Sequence, residues 1–375
     1  MTFEDEIYLT QAEYYMNECF ELAKNAFGKT SPNPIVGAIV LDNNGMPVGK
    51  GFHAKAGTEH AEILALKEAG KQAKDGTLIV NLEPCCHYGK TPPCTDLIIE
   101  SKIKEVVFSN YDPNPLVNKK GSKILQENNI KVIPEVLEKE GYELNKFFFK
   151  WVNKKIPWIT LKQAQTLDGK IGLKNKAKVQ ITGEAAKKEV HNLRNIYDAI
   201  LIGNNTVKID NPELTVREIS NGRNPVRVIL DKDLSIDKDS NIFKNNASVI
   251  LVTKSGHKTS LINNFLKTNK HIELLEIPCL ETGELDLGKL FFELGKREIL
   301  SVLIESGPTL ASELIQKKLI DEYILFIAPV ILGEEGTVSS LNIKIPETTN
   351  SSYNFALSDY KLIGNDFMFS LRPTS

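Results

Sequence analysis

Three metal-binding side chains and one carboxylate lie close together in this sequence. His60 and Glu62 form an H-x-E pair, and Cys85 and Cys94 follow downstream. One imidazole and two thiolates fill three positions of a tetrahedral Zn²⁺ site and leave the fourth for water. Zn²⁺ lowers the pKa of a bound water to about 7. Glu62 is then placed to carry protons rather than to bind the metal. The spacing predicts zinc-dependent hydrolytic chemistry.

A closed structural zinc site is the alternative interpretation of these residues. Structural sites have four protein ligands, and Cys86 or His87 could supply the fourth. Three features favour an open site. The spacing C-x₂-C is absent, a closed site would not use Glu62, and a helix start at Cys94 lowers the pKa of its thiol. Cys85 is preferred to Cys86 as a ligand because it directly follows a proline, as in the deaminase signature.

The length and composition indicate a globular chain of two or three domains. It has 375 residues, 41 % of them hydrophobic, and a net charge of −2, which argues against a dedicated nucleic-acid binder. Five cysteines, three of them in the metal-binding segment, fit a reducing compartment, and we expect a cytoplasmic protein. We expect no secretory signal, because residues 1–10 are acidic and contain no apolar core segment. The longest apolar run, 324–332, is too short to cross a membrane.

Strands and helices alternate in the first half, which predicts an α/β layered domain. A capping box, Thr10-x-x-Glu13, predicts the start of the first helix. The next helices are expected at 60–69, after Cys94, at 120–127 and at 138–152. Strands are expected at 35–41, 48–52, 77–82, 105–109 and 130–133.

The alternation restarts after a linker near residue 154, so we expect domains at 1–153 and 154–375. Strands are predicted at 158–165, 199–203, 226–230, 249–253, 300–304 and 322–328. Helices are predicted at 185–197, 287–296 and 309–317. No G-x-G-x-x-G follows a strand, which disfavours a Rossmann domain. The turn at Gly307-Pro308 before a helix could bind an anion such as a dinucleotide pyrophosphate, although an ordinary strand-to-helix turn has the same pattern.

The N-terminal motifs resemble those of the bifunctional riboflavin-biosynthesis deaminase/reductase family. They are H-A-E at 60–62, P-C-C-H-Y-G-K-T-P-P-C at 84–94, S-P-N-P-I-V-G at 31–37 and G-F-H at 51–53. The resemblance implies a cytidine-deaminase-like fold, zinc bound by His60, Cys85 and Cys94, and Glu62 as the proton carrier. It also implies that Asn33 and His53, together with Lys90, hold the base or phosphate of a phosphorylated pyrimidine ribotide. Each of these three could instead have a purely structural or solvated role.

The C-terminal motifs resemble the reductase half of the same family, which is similar to dihydrofolate reductase in fold. They are L-K-Q-A-Q-T-L-D-G-K at 161–170, T-V-K-I-D-N-P-E-L-T-V-R at 206–217 and E-S-G-P-T-L at 305–310. The resemblance implies an NADPH site, in which the contacting residues are Ala164, Gln180, Thr206, Asp210, Gly307, Pro308, Thr309 and Leu310. It implies a substrate site formed by Lys178, Arg194, Leu214, Arg217 and Glu305.

Two of these positions depart from the family pattern. Lys178 and Gln180 stand where family members often have Ser and Trp. The missing indole removes a stacking surface for the cofactor, so we expect altered reductase contacts there.

Two other functions compete with this one. A nucleic-acid-editing deaminase with a C-terminal binding module would require a basic, aromatic-rich second half, which the near-neutral charge disfavours. A zinc-stabilised scaffold would require four protein ligands. The leading interpretation is a two-activity enzyme that uses Zn²⁺ and NADPH, binds neither nucleic acid nor membranes, and forms a homo-oligomer, a dimer or a tetramer, through its reductase half.

Overall fold

A computed structural model describes residues 3–88, 92–174, 179–217, 219–220, 222–244, 247–257, 262, 272–343 and 352–374. The chain divides into two compact units, Met1–Lys155 and Ile156–Ser375. Each unit is described by itself.

The first unit is built on a five-stranded sheet in the order β2-β1-β3-β4-β5. β1 is antiparallel to both β2 and β3, whereas β3, β4 and β5 are parallel. All five predicted strands are present: β1 (Gly37–Leu41), β2 (Pro47–Phe52), β3 (Thr77–Leu82), β4 (Glu105–Asn110) and β5 (Lys131–Ile133). The parallel strands bring their carboxyl ends to one edge, where the chain leaves β3 towards Cys85.

Helices cover both faces of this sheet. They are α1 (Phe3–Lys24), α2 (Ala61–Ala69), α3 (Cys94–Glu100), α4 (Lys120–Glu127) and α5 (Glu138–Lys154). One face packs the side chains of α2 and α3, and the other packs α1. The predicted start of the first helix is wrong, because α1 already runs through Thr10 and begins at Phe3. A capping box is a local signal, and its residues also occur inside a helix.

Close packing of α2 on β2 depends on two glycines. A Cβ added at Gly49 would lie 2.2 Å from the carbonyl oxygen of Ala65, and one added at Gly51 would lie 2.6 Å from that of Ala61. Because glycine lacks a Cβ, the helix backbone approaches the strand directly. This contact fixes the first turn of α2, which carries Glu62.

The second unit contains a nine-stranded sheet in the order β11-β10-β9-β8-β12-β6-β13-β16-β15. Neighbouring strands from β11 to β13 are parallel, and β16 and β15 add an antiparallel hairpin. The strands are β6 (Trp158–Thr166), β8 (Ala199–Gly203), β9 (Val226–Leu230), β10 (Val249–Lys254), β11 (Ile272–Ile277), β12 (Ser301–Glu305), β13 (Glu322–Ala328), β15 (Phe355–Ile363) and β16 (Asp366–Pro373). β7 (Lys170–Leu173) and β14 (Thr337–Ser339) form a separate antiparallel pair.

The described helices of this unit alternate with the parallel strands. They are α6 (Glu184–Ile196), α7 (Asn204–Asp210), α8 (Leu287–Lys296) and α9 (Pro308–Gln316). The predicted helices and strands are present within one or two residues at each end. The prediction omitted α7, β7, β11 and every strand after residue 328.

Candidate active sites

His60, Cys85 and Cys94 converge in the first unit, and their ligand atoms all lie within 4.8 Å of one another. His60 is the N-cap residue of α2, Cys94 is the first residue of α3, and Cys85 follows β3. His60 Nδ1 lies 3.2 Å from Cys94 Sγ and 3.5 Å from Cys85 Sγ. Ligands bound tetrahedrally to zinc stand about 3.5 Å apart. The donor set and its spacing therefore fit Zn²⁺.

The electrostatics of these three residues favour a metal cation. Hydrogen bonds from the Cys94 thiol, His60 and the Cys94 N–H hold the pKa of Cys85 well below its usual range. The hydrogen bond with Cys85 in turn raises the pKa of His60 to about 9. The lowered pKa favours the thiolate form of Cys85, which accepts hydrogen bonds from these donors. A metal ion binds such a group by replacing those protons.

Glu62 lies beside this group and outside it. It is in the first turn of α2, and its side chain is buried. Burial raises the pKa of Glu62, and the negative charge of Cys85 adds to the effect. A carboxyl group whose pKa is raised is suited to accept and return a proton.

Cys86 and His87 do not belong to the ligand group. Cys86 Sγ lies 3.7 Å from the carbonyl oxygen of Leu116. His87 Nδ1 is buried and has no hydrogen-bond partner among the residues that the structure describes.

Asn33 and His53 lie next to each other. The Asn33 amide nitrogen is 3.2 Å from His53 Nε2, while His53 Nδ1 is 3.1 Å from the carbonyl oxygen of Glu59. The His53 ring also packs edge-on against the His60 ring, with 5.3 Å between the ring centres. Burial lowers the pKa of His53, which favours the neutral imidazole. The structure thus brings both residues to the metal-ligand group, whereas Lys90 lies outside the described residues.

A buried ionic cluster lies in the second unit. Glu305, the last residue of β12, accepts hydrogen bonds from Arg194 Nε at 2.7 Å and from Arg194 Nη2 at 2.9 Å. Lys162 Nζ lies 3.6 Å from the same carboxylate. Burial alone would raise the pKa of Glu305, but the charges of Arg194 and Lys162 lower it to about 2. The carboxylate is therefore ionised at neutral pH.

Comparisons with known proteins assign both units. Residues 9–110 match the cytidine and deoxycytidylate deaminase zinc-binding region, and residues 157–369 match the RibD C-terminal domain. The Aquifex aeolicus riboflavin biosynthesis protein RibD is 40% identical over 334 residues, which are 88% of this chain and 90% of that protein. The chain belongs to the RibD family. It is a bifunctional enzyme of riboflavin biosynthesis that combines a zinc-dependent deaminase with an NADPH-dependent reductase.

Solved RibD structures have the same fold. Acinetobacter baumannii RibD superposes with a TM-score of 0.87 at 36% identity, over 98% of this chain and 100% of that chain. A diaminohydroxyphosphoribosylaminopyrimidine deaminase/5-amino-6-(5-phosphoribosylamino)uracil reductase from Thermotoga maritima gives 0.86 at 37% identity, with the same coverage. The predicted fold class, a cytidine-deaminase-like domain followed by a reductase domain, is confirmed.

The residues predicted to bind NADPH in the RibD reductase lie mainly at one edge of the sheet. Ala164 is on β6, Thr206 and Asp210 are on α7 directly after β8, and Gly307 is the N-cap residue of α9 after β12. β8, β12 and β6 are neighbouring parallel strands, so their carboxyl ends lie at one edge of the sheet, where open α/β sheets bind ligands. Pro308, Thr309 and Leu310 form the first turn of α9. Gln180 is exposed and donates to Glu184.

The predicted substrate residues of the RibD reductase are only partly brought together. Arg194 holds Glu305, and its Nη1 lies 3.4 Å from the carbonyl oxygen of Thr215, next to the buried Leu214. Arg217 is exposed and pairs with Glu213. Lys178 lies outside the described residues.

Sequence reasoning overlooked Lys162. Its side chain is 12% exposed, and burial lowers its pKa against the opposing charge of Glu305. The available signal was a lysine directly after the apolar residues Trp158, Ile159 and Leu161 of a predicted strand, since a buried lysine requires a partner. None of the described helices is long and apolar enough to span a membrane.

Proposed function

We propose that residues 1–153 deaminate 2,5-diamino-6-ribosylamino-4-pyrimidinone 5′-phosphate and that residues 154–375 then reduce its ribosyl group to ribityl. The observation that carries the first step is the zinc-compatible group of His60, Cys85 and Cys94 with Glu62 beside it. The substrate and its deaminated product correspond to the two activities in the name of the Thermotoga maritima relative.

Glu62 is the proton carrier of the proposed deamination. Zinc held by the three ligands supplies Lewis-acid activation of water. Glu62 accepts the proton of the attacking water and delivers it to the pyrimidine ring and the leaving ammonia, as the raised pKa of its carboxyl permits. Asn33 and His53 hold the pyrimidine or its phosphate beside the metal ligands.

Lys162 is our candidate proton donor for the reduction. NADPH supplies a hydride to C1′ of the ribose. The C1′–O4′ bond breaks, and O4′ requires a proton to become a hydroxyl group. Lys162 carries a buried ammonium whose pKa burial lowers, and Glu305 holds it beside the carboxyl end of β12. A lysine with a lowered pKa gives up its proton more readily.

We also propose that the protein is a cytoplasmic homo-oligomer. Its cysteines are free, which fits a reducing compartment. β15, at the edge of the large sheet, is exposed over most of its length. Paired residues of β15 and β16 form an apolar surface, the hairpin face, consisting of Tyr360, Leu362, Phe367 and Phe369. Exposed apolar faces of this kind are typical of subunit interfaces.

One assay tests the enzymatic proposal. Purified protein is given the diaminopyrimidinone ribotide with and without NADPH, and ammonia release and NADPH oxidation are recorded. We expect ammonia in both cases and NADPH oxidation only after deamination. Glu62→Gln should abolish ammonia release and retain zinc, whereas the exposed Glu127→Gln should change neither. Loss of zinc from Glu62→Gln would contradict the role assigned to Glu62.

A further inference from the structure

Two side-chain amides hold the backbone of Ile35, just before β1 begins at Gly37. The Ile35 N–H donates to Asn145 Oδ1 at 2.9 Å, and Asn145 Nδ2 donates to the Ile35 carbonyl oxygen at 3.0 Å. Asn81 Nδ2 donates to the same carbonyl oxygen at 3.0 Å, and its Oδ1 accepts from the Gly37 N–H at 2.8 Å. Side chains from α5 and β3 thus make the hydrogen bonds to this backbone that a neighbouring strand would otherwise make.

These hydrogen bonds are buried, and they satisfy both backbone polar groups of Ile35. Ile35, Asn81 and Asn145 are 7%, 0% and 4% exposed. Buried polar groups require partners, and both backbone groups of Ile35 obtain them from these amides. Asn145 contributes two of the hydrogen bonds, from a position 110 residues away in sequence. α5 departs from helical geometry at this residue, with φ −112° and ψ 19°.

The held segment leads directly to the substrate-binding residues of the proposed deaminase. Asn33 lies two residues before Ile35, and its amide is 3.2 Å from His53 Nε2. The N–H of His53 donates to the carbonyl oxygen of Val36 at 2.9 Å, one residue after Ile35. The backbone at residues 35 and 36 therefore sets the placement of both side chains.

We infer that Asn145 is a positioning residue of the deaminase, which fixes Ile35 and through it places Asn33 beside His53 for the pyrimidine. The inference rests on the substrate role proposed for Asn33. It assigns to α5, the last helix of the first unit, a part in substrate binding without contact to the substrate.

Asn145→Asp tests this role in the full-length, zinc-loaded enzyme. The variant keeps the size of the side chain and an acceptor for the Ile35 N–H, but it places a carboxylate oxygen against the Ile35 carbonyl. We expect KM for the ribotide to rise about tenfold or more, with a change of less than about threefold in kcat, because substrate positioning is lost while the metal ligands remain. Zinc content and reductase activity on the deaminated product should be unchanged.

A double-mutant cycle separates positioning from general structural support. If Asn145 acts through Asn33, Asn145→Asp should change KM by less than about twofold in an Asn33→Ala background, since interacting sites are non-additive. Fully additive effects, or an unchanged KM in the single variant, overturn the inference. Asn128→Asp, the same substitution at an exposed helix end, is the matched control and should change neither KM nor kcat.

The outcomes also distinguish this inference from the proposed function. If Asn33→Ala leaves deamination intact, the substrate role of Asn33 is wrong and the inference is overturned with it. If Asn33→Ala is impaired and Asn145→Asp is not, only the role of Asn145 is wrong. Should Asn145→Asp lose zinc, Asn145→Ser, which shortens the side chain without adding a charge, replaces it in the same cycle.

Discussion

Arg194 and Glu305 form a two-point ion pair, with 2.7 Å between Nε and Oε1 and 2.9 Å between Nη2 and Oε2. Their side chains are 13% and 14% exposed. Lys162 approaches the same carboxylate at 3.6 Å, so the cluster carries one positive charge in excess. That charge lies at the carboxyl end of β12, where we propose that NADPH and the phosphorylated substrate bind, and it favours both anions.

Glu305→Leu should destabilise the second unit by about 3–5 kcal/mol, because it leaves two buried cations without their anion. Urea unfolding followed by tryptophan fluorescence measures this loss of stability. In a Trp151→Phe background Trp158 is the remaining tryptophan, so the fluorescence reports on the second unit. Combining Glu305→Leu with Arg194→Met should recover part of the loss, since only Lys162 then lacks its partner. A double variant as unstable as the single one contradicts the prediction.

The same cluster predicts acid sensitivity of the second unit. The pKa of Glu305 is about 2 in the folded state, against an ordinary value of 4.5. A folded pKa below the unfolded one gives stability that is present above pH 4.5 and is lost as the pH falls towards 2. The difference corresponds to roughly 3 kcal/mol. Urea unfolding between pH 6 and pH 3 should show roughly 2 kcal/mol of this loss, and Glu305→Gln should remove most of this pH dependence. Equal slopes for both proteins would count against the prediction.

Much of the first unit could be predicted because its signals are local. The strands alternate with amphipathic helices, and His60, Glu62, Cys85 and Cys94 stand at the ends of those elements. Residues that support a site through contacts between distant parts of the sequence have no such local signal. Asn145 reaches Ile35 across 110 residues, and a single asparagine within a helical pattern looks like any solvated residue.

The second unit was predicted less completely for a different reason. Its parallel strands are apolar runs bounded by turns, which sequence patterns detect well. β15 is exposed over most of its length, so it lacks the alternation that marks a half-buried strand. Lys162 was overlooked because its partner Glu305 becomes its neighbour only when β6 pairs with β12.

Cys86→Ser distinguishes an open zinc site from a closed one. Cys86 Sγ faces the carbonyl oxygen of Leu116 and lies outside the ligand group. We therefore expect the variant to retain one zinc ion per chain and its deaminase activity, measured by atomic absorption and ammonia release. Cys94→Ser should lose most of the bound zinc and its ammonia release, because it removes one of three protein ligands.

Reductase activity is the internal control for these cysteine variants. The reductase motifs lie in the second unit, so both variants should oxidise NADPH normally when given the deaminated product. Cys279→Ser, at an exposed position, should match the unchanged protein in every assay. Loss of zinc from Cys86→Ser would show that Cys86 is the fourth ligand and that the site is closed.

The hairpin face predicts how the protein self-associates. Tyr360, Leu362 and Phe367 are 68%, 67% and 42% exposed, a large apolar area for a monomer. In a two-fold symmetric interface each of these residues meets the same face of its partner. Replacing Tyr360 and Leu362 together with glutamate places like charges opposite each other, so light scattering should show a smaller assembly. Tyr14→Glu, at a tyrosine on α1 that is 61% exposed, should leave the mass unchanged. An unchanged assembly in the hairpin variant would exclude this face as the interface.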